Sequence, residues 1–218
     1  EVELDSDALL NQAVSNLLTE AGQNKKLTVF LVNYMKQLAQ DDQSWNIQKG
    51  LVDIAKVTMN EDALPHLNEL RKLHLEDFVR IKEKMGQDLH SYERFILKNK
   101  KLGEEKLKEA NINPEFLIGK SRTNIWAYFK QKVDASFFEQ KAKPKYVQTI
   151  EKDEWCSKGF EGSISATDYQ DLKNLFFEIE NYKSENASAY ILKSTIYKNL
   201  FQLGLINELE KQLTYIRE

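Results

Sequence analysis

The chain has 218 residues, 41% hydrophobic and 30% charged, with 31 Lys+Arg against 34 Asp+Glu and a formal net charge of −3. This balance excludes a disordered tail, and the length suffices for one large domain or two small ones whose core needs no metal or disulfide. Eight Gly and three Pro are fewer than half the usual share of these turn formers, so long helices are expected to fill the sequence.

The first helix is expected to start after an Asp5 or Ser6 cap. Leu9, Leu10, Ala13, Val14, Leu17, Leu18 and Ala21 lie on one stripe of it, and Gly22 ends it. A second runs from about 25 to 40 with Leu27, Phe30, Leu31, Tyr34, Met35 and Leu38 inward, and a third from about 47 to 59 with Leu51, Ile54, Ala55 and Val57. The joints at 23–24 and 41–45 are short, so successive helices should pack antiparallel. Asn60 is the expected cap of the next helix, with Pro65 near its first turn. Three-and-four spacing from Leu67 through Ile96 predicts one long helix, weak at Gly86, reaching Leu102; Gly103 then breaks it before a short helix over 104–110.

Asn111 to Pro114 reads as a turn and a boundary. Seven of the 23 aromatic residues lie in 1–120 and sixteen in 121–218, so the core material changes from Leu to Phe, Tyr and Trp. Beyond the boundary come a short helix over 114–119 and a helix from Asn124 to about Phe138. A looser stretch at Lys141, Lys143, Pro144 and Lys145 follows, then a loop from Trp155 to Thr167 holding Gly159 and Gly162. Ser165 or Thr167 caps a helix with Leu172, Leu175, Phe176, Ile179 and Tyr182, and a last helical region over 186–216 is apolar on nearly every side, hence buried. The expected fold class is an all-α multi-helix bundle: a Leu-rich four-helix array over 1–110 joined to an aromatic-rich helical subdomain over 111–218.

The longest charge-free apolar stretches, 27–35 and 199–207, are about half the roughly 18 residues that span a bilayer, so no transmembrane segment is expected. The single cysteine, Cys156, has no disulfide partner within the chain, which removes the disulfide-stapled secreted class. Acidic Glu1, Glu3, Asp5 and Asp7 are the reverse of a basic leader, and a cytoplasmic location is the expectation.

Chemistry-bearing patterns are few. His66, His74 and His90 fall on the long fourth helix at spacings that turn them away from one another, so they cannot share a metal. No zinc, di-metal, calcium-loop or phosphate-cradle spacing occurs. Cys156 follows Trp155 in the glycine-containing loop, where it reads either as a thiol nucleophile or as a small apolar filler beside the ring. The adjacent pairs Asp41–Asp42 and Glu104–Glu105 read as solvated charges. No cofactor or metal is expected, and the chain is not read as an enzyme.

Charge distribution is the most informative pattern. Residues 1–93 carry a net −6, 94–145 a net +7 and 146–218 a net −4. The basic middle interleaves its lysines with Trp126, Tyr128, Phe129, Phe137 and Phe138. Gathered on one face, these cations would draw an anionic partner, whereas acidic flanks folding back would neutralise them. The expected role is a non-catalytic helical module for a partner protein. Trp126, Phe129 and Phe137 would be its apolar anchors, although the same rings suit a core, with Lys98, Lys101, Arg122, Lys130, Lys141, Lys143 and Lys145 steering encounter.

Two resemblances imply alternatives. The stretch Ala187–Ile191, Leu192–Lys193 and Ser194–Leu203, followed by Gly204-Leu205-Ile206, resembles the second helix, turn and recognition helix of winged-helix regulators. It implies DNA binding, with Lys193, Ser194, Thr195, Lys198, Asn199 and Gln202 facing the major groove. The stretch from Leu67 to Lys108 with its basic end resembles an arm of the crescent-shaped BAR domains, which implies an anionic membrane as partner. Lysine-rich composition makes nucleic acid the weaker of these partners.

Overall fold

The computed structural model describes residues 6–40, 46–118, 124–140, 144–160, 162 and 164–217. The fold is all-α. Among the described residues the α-helices are α1 (Ser6–Ala21), α2 (Lys25–Gln40), α3 (Ile47–Ala55), α4 (Leu64–Leu70), α5 (Leu75–Glu109), α6 (Ile125–Lys130), α7 (Ala135–Glu139), α8 (Pro144–Glu151) and α9 (Ala166–Arg217). Short 3-10 turns at Lys56–Met59, Glu61–Ala63 and Pro114–Phe116 join some of them, and Leu117 and Cys156 form an isolated antiparallel bridge. None of these helices is long and apolar enough to cross a membrane.

Side-chain caps fix several starts. Asn24 Oδ1 accepts from the Leu27 amide (3.3 Å), Asn46 Oδ1 from Lys49 (3.0 Å), Asn124 Oδ1 from Ala127 (2.9 Å), and Ser165 Oγ from Asp168 (3.1 Å). Each supplies an acceptor to an amide that the first helical turn leaves without one.

Packing density divides the chain into two compact units, Glu1–Lys84 with Ile196–Glu218, and Met85–Thr195. The divisions fall inside α5 and α9, whereas the change in composition falls near 110. The first unit is built on Leu10, Val14, Leu17, Leu27, Phe30, Leu51, Phe78, Leu205 and Leu209, and the second on Ile96, Leu107, Phe129, Phe138, Ile150, Leu172 and Phe176, all buried.

Helix boundaries differ from expectation at several places, and four of them have a local or tertiary reason. The long fourth helix is interrupted at 71–74. Asp77 Oδ2 there caps the His74 amide (2.9 Å), and the Leu73 carbonyl accepts from buried Asn207 Nδ2 (2.9 Å). Gly103 does not break α5. It leaves a notch for Phe129, whose ring would lie 2.6 Å from a Cβ at that position. The helix expected over 124–138 is divided into α6 and α7 at 131–134, where Gln131 is extended and the Asp134 side chain caps the Phe137 amide (3.2 Å). The two helices expected near the end are one, α9, 52 residues long.

Candidate functional site

In the first unit α2 and α5 run parallel: Lys26 pairs with Glu76 near both N-termini, and Lys82 Nζ donates to Gln37 Oε1 further along both (2.9 Å). Between them lies an open groove of about 370 Å³ floored by Val29, Phe30, Leu75 and Val79. Phe30 gives the floor its rigidity. Its ring stands edge-on to Phe78 and Phe201, with centroids 6.5 and 5.1 Å away, and rests over Gly204, where a Cβ would come within 2.4 Å of it.

The groove's rim is charged. Lys26 and Glu76 satisfy each other, and the ammonium holds the Glu76 carboxyl below the ordinary glutamate range. Arg80 pairs with Asp77 (2.7 Å). Lys25 at one end and Glu83 towards the other are exposed and make no ion pair among the described residues. Sequence reasoning passed over this groove. The available signal was that Val29, which is 51% exposed, lies off the inward stripe of α2.

In the second unit the basic, aromatic middle closes on itself. Lys100 is 3% exposed. Its Nζ donates to the Gln131 carbonyl (2.7 Å) at the C-terminal end of α6 and lies 3.8 Å from the centroid of Phe137 and 5.5 Å from that of Tyr128. Buried Lys183 lies over the same Phe137 ring (4.8 Å) and pairs with Glu180, which also accepts from the Tyr128 hydroxyl (2.7 Å). The two amines thus share the Phe137 ring, while the Glu180 carboxylate is shared by Lys183 and the Tyr128 hydroxyl. Burial above all, then the like charge of Lys183, pushes the Lys100 amine down to about 7 against the pull of Glu104, Glu180 and Asp134. Neither lysine was singled out from the sequence, because nothing local says which of many lysines turns inward.

The expected site residues separate rather than converge. Phe129 and Phe137 are 1% and 4% exposed, core rings rather than surface anchors, because Gly103 and the Lys100–Lys183 pair seat them. Trp126 is half-buried, with exposed Lys130 over its ring at 5.1 Å. Lys98 and Lys101 are exposed on α5, on the face opposite Ile96, Gly103 and Leu107. These two cations therefore take the side of the helix opposite the Phe129 ring, while Lys100 takes the side of the rings. Several other cations meet carboxylates: Lys106 pairs with Asp171, Lys132 with Asp134 and Lys101 with Glu105 (3.8 Å in the last two). Arg122, Lys141 and Lys143 lie outside the described residues, as does the side chain of Lys145, at the start of α8.

The helix-turn-helix reading is overturned, since residues 187–203 lie within the unbroken α9 and the turn at Leu192–Lys193 does not exist. Cys156 Sγ sits 3.2 Å from the Tyr169 hydroxyl, whose pKa burial and the thiol both raise. A hydroxyl whose pKa is raised stays protonated at neutral pH and so cannot take up the proton of the thiol. Among the described residues no group of three His, Cys, Asp or Glu is placed to hold a metal ion. No family model matches the chain, and no curated protein or solved structure matches it.

Proposed function

We propose that the chain is a non-catalytic helical binding module whose first unit holds an amphipathic helix of a partner protein in the α2–α5 groove. The observation that supports this reading is the apolar floor of Val29, Phe30, Leu75 and Val79 between two parallel helices. A helix laying apolar residues at i, i+3, i+4 and i+7 into such a groove buries them without leaving backbone groups unpaired. Electrostatics selects its direction. Both groove helices begin at the Lys25 end, so their positive dipole ends and the unpaired ammonium favour an acidic residue and a helix C-terminus there. Glu83 asks for a basic residue towards the other end.

The test is selection of a helix-biased peptide library against the whole chain, followed by titration of the recovered peptides. They are expected to carry the apolar spacing with an acid towards the C-terminus, and to lose about tenfold or more in affinity for each of Val29→Asp and Val79→Asp. Recovery only of peptides that bind these variants as well as the parent chain contradicts the reading.

A further inference from the structure

We infer that the second unit binds a second copy of this chain, the basic ridge of α5 on one copy lying along the acidic ridge of α9 on the other. On α5, Arg94, Lys101 and Lys108 are seven residues apart and exposed. At about 100° per residue, Leu97 and Lys98 fall within about 60° of the same line. Leu97 is 52% exposed in the middle of this ridge. On α9, Asp171, Glu178 and Glu185 are also seven apart, Glu178 and Glu185 exposed, and Leu192, 62% exposed, continues the line by one more repeat. Each charged row spans 14 residues, about 21 Å of helix.

Three cations and three carboxylates at equal spacing superimpose whichever way the two helices run, and their dipoles favour the antiparallel arrangement. Within one copy most of these charges remain available. Lys101 reaches Glu105 only at 3.8 Å, Asp171 is taken by Lys106, and Arg94, Lys108, Glu178 and Glu185 make no ion pair among the described residues. A lipid surface or a nucleic acid would use the basic ridge alone. It is the matching acidic repeat on the same unit, with an exposed leucine on each ridge, that selects a second copy as the occupant. Lysine outnumbering arginine on the ridge agrees, since Arg94 alone in it presents a fork to phosphate.

Sedimentation equilibrium of the whole chain at low and high salt tests this. The parent chain is expected to self-associate reversibly at low salt, below about 1 mM, and less at high salt. Lys101→Glu and Glu178→Lys should each raise the dissociation constant about tenfold or more, since each removes one attraction and adds one repulsion. The two single variants mixed together, and the chain carrying both changes, should recover association to within about threefold of the parent. Recovery by the double change would exclude misfolding as the cause of the single losses. A parent chain that stays monomeric, single variants that associate unchanged, or a double variant without recovery would each overturn the assignment. Binding to phosphatidylserine vesicles or to an oligonucleotide that Lys101→Glu abolishes and Glu178→Lys leaves intact would instead assign the basic ridge to an anionic partner, and overturn it as well.

Discussion

Replacing Lys100 by Met is expected to raise the stability of the chain at neutral pH and to flatten its dependence on pH. The amine is 3% exposed and its folded-state pKa is pushed down to about 7, from 10.5 in an open chain. Below 7 the group is protonated in both states, and above 10.5 it is neutral in both. Between these values the unfolded chain carries a proton that the folded chain lacks, so stability rises with pH by up to about 1.4 kcal/mol per unit. At pH 7 the folded parent chain bears most of that penalty. Methionine removes it, at the cost of leaving the Gln131 carbonyl without its donor, and a net gain of about 2 kcal/mol is expected. Denaturant unfolding at several pH values from 7 to 10 measures both effects. An equal slope in parent and variant would contradict the burial of this amine. Lys183→Met is the companion variant. Removing the like charge should move the rising limb to higher pH, although it also leaves Glu180 with only the Tyr128 hydroxyl.

Two glycine substitutions in helices are expected to be damaging and a third helpful. A Cβ at Gly204 would lie 2.4 Å from the Phe30 ring, and one at Gly103 would lie 2.6 Å from Phe129, while nothing lies within 4 Å of the same atom at Gly50 in α3. Both rings are nearly fully buried, so they cannot swing aside without displacing neighbours. Gly204→Ala and Gly103→Ala should each lose about 1–3 kcal/mol, even after the roughly 1 kcal/mol that alanine gains over glycine in a helix interior. Gly50→Ala meets no such contact and should gain up to about 1 kcal/mol. Thermal or denaturant unfolding of the three variants decides the matter by sign. Gly204→Ala combined with Phe30→Leu should recover part of the loss, because the smaller side chain vacates the space the new methyl needs. Stabilisation by Gly204→Ala alone would mean that Phe30 is not seated as described, and with it the floor of the groove.

These positions also show how far the sequence could be read. The apolar stripes of α1 and α2 were legible because Leu10, Val14, Leu17, Leu27 and Phe30 repeat with the helical period, and the structure buries all five. The Ser165 cap was legible from residue type. The interruption at 71–74 was not, because one of its supports, Asn207, lies 134 residues away. Nor was the continuity of α5, since glycine at 103 reads locally as a breaker and its use depends on where Phe129 lands. The same limit applied to the candidate site. Interleaved lysines and aromatic rings were visible as a pattern, but the pattern does not say whether a ring turns outward beside the cations or inward beneath them. Lys82 repeats the lesson in the first unit, its Nζ 3.8 Å from the Tyr197 ring centroid and 4.6 Å from that of Phe201. Residue types that suit an interface also suit a cation–π core, and long-range packing chooses between them.

The central claim is that one cation of the basic middle, Lys100, is sealed inside the fold against Phe137 and Tyr128. Titration of the lysine side chains by NMR, with 13C at Cε, tests it directly. The account predicts one lysine resonance moving with a midpoint near 7 that vanishes in Lys100→Met. A set of lysine resonances none of which has a midpoint near 7 would contradict it.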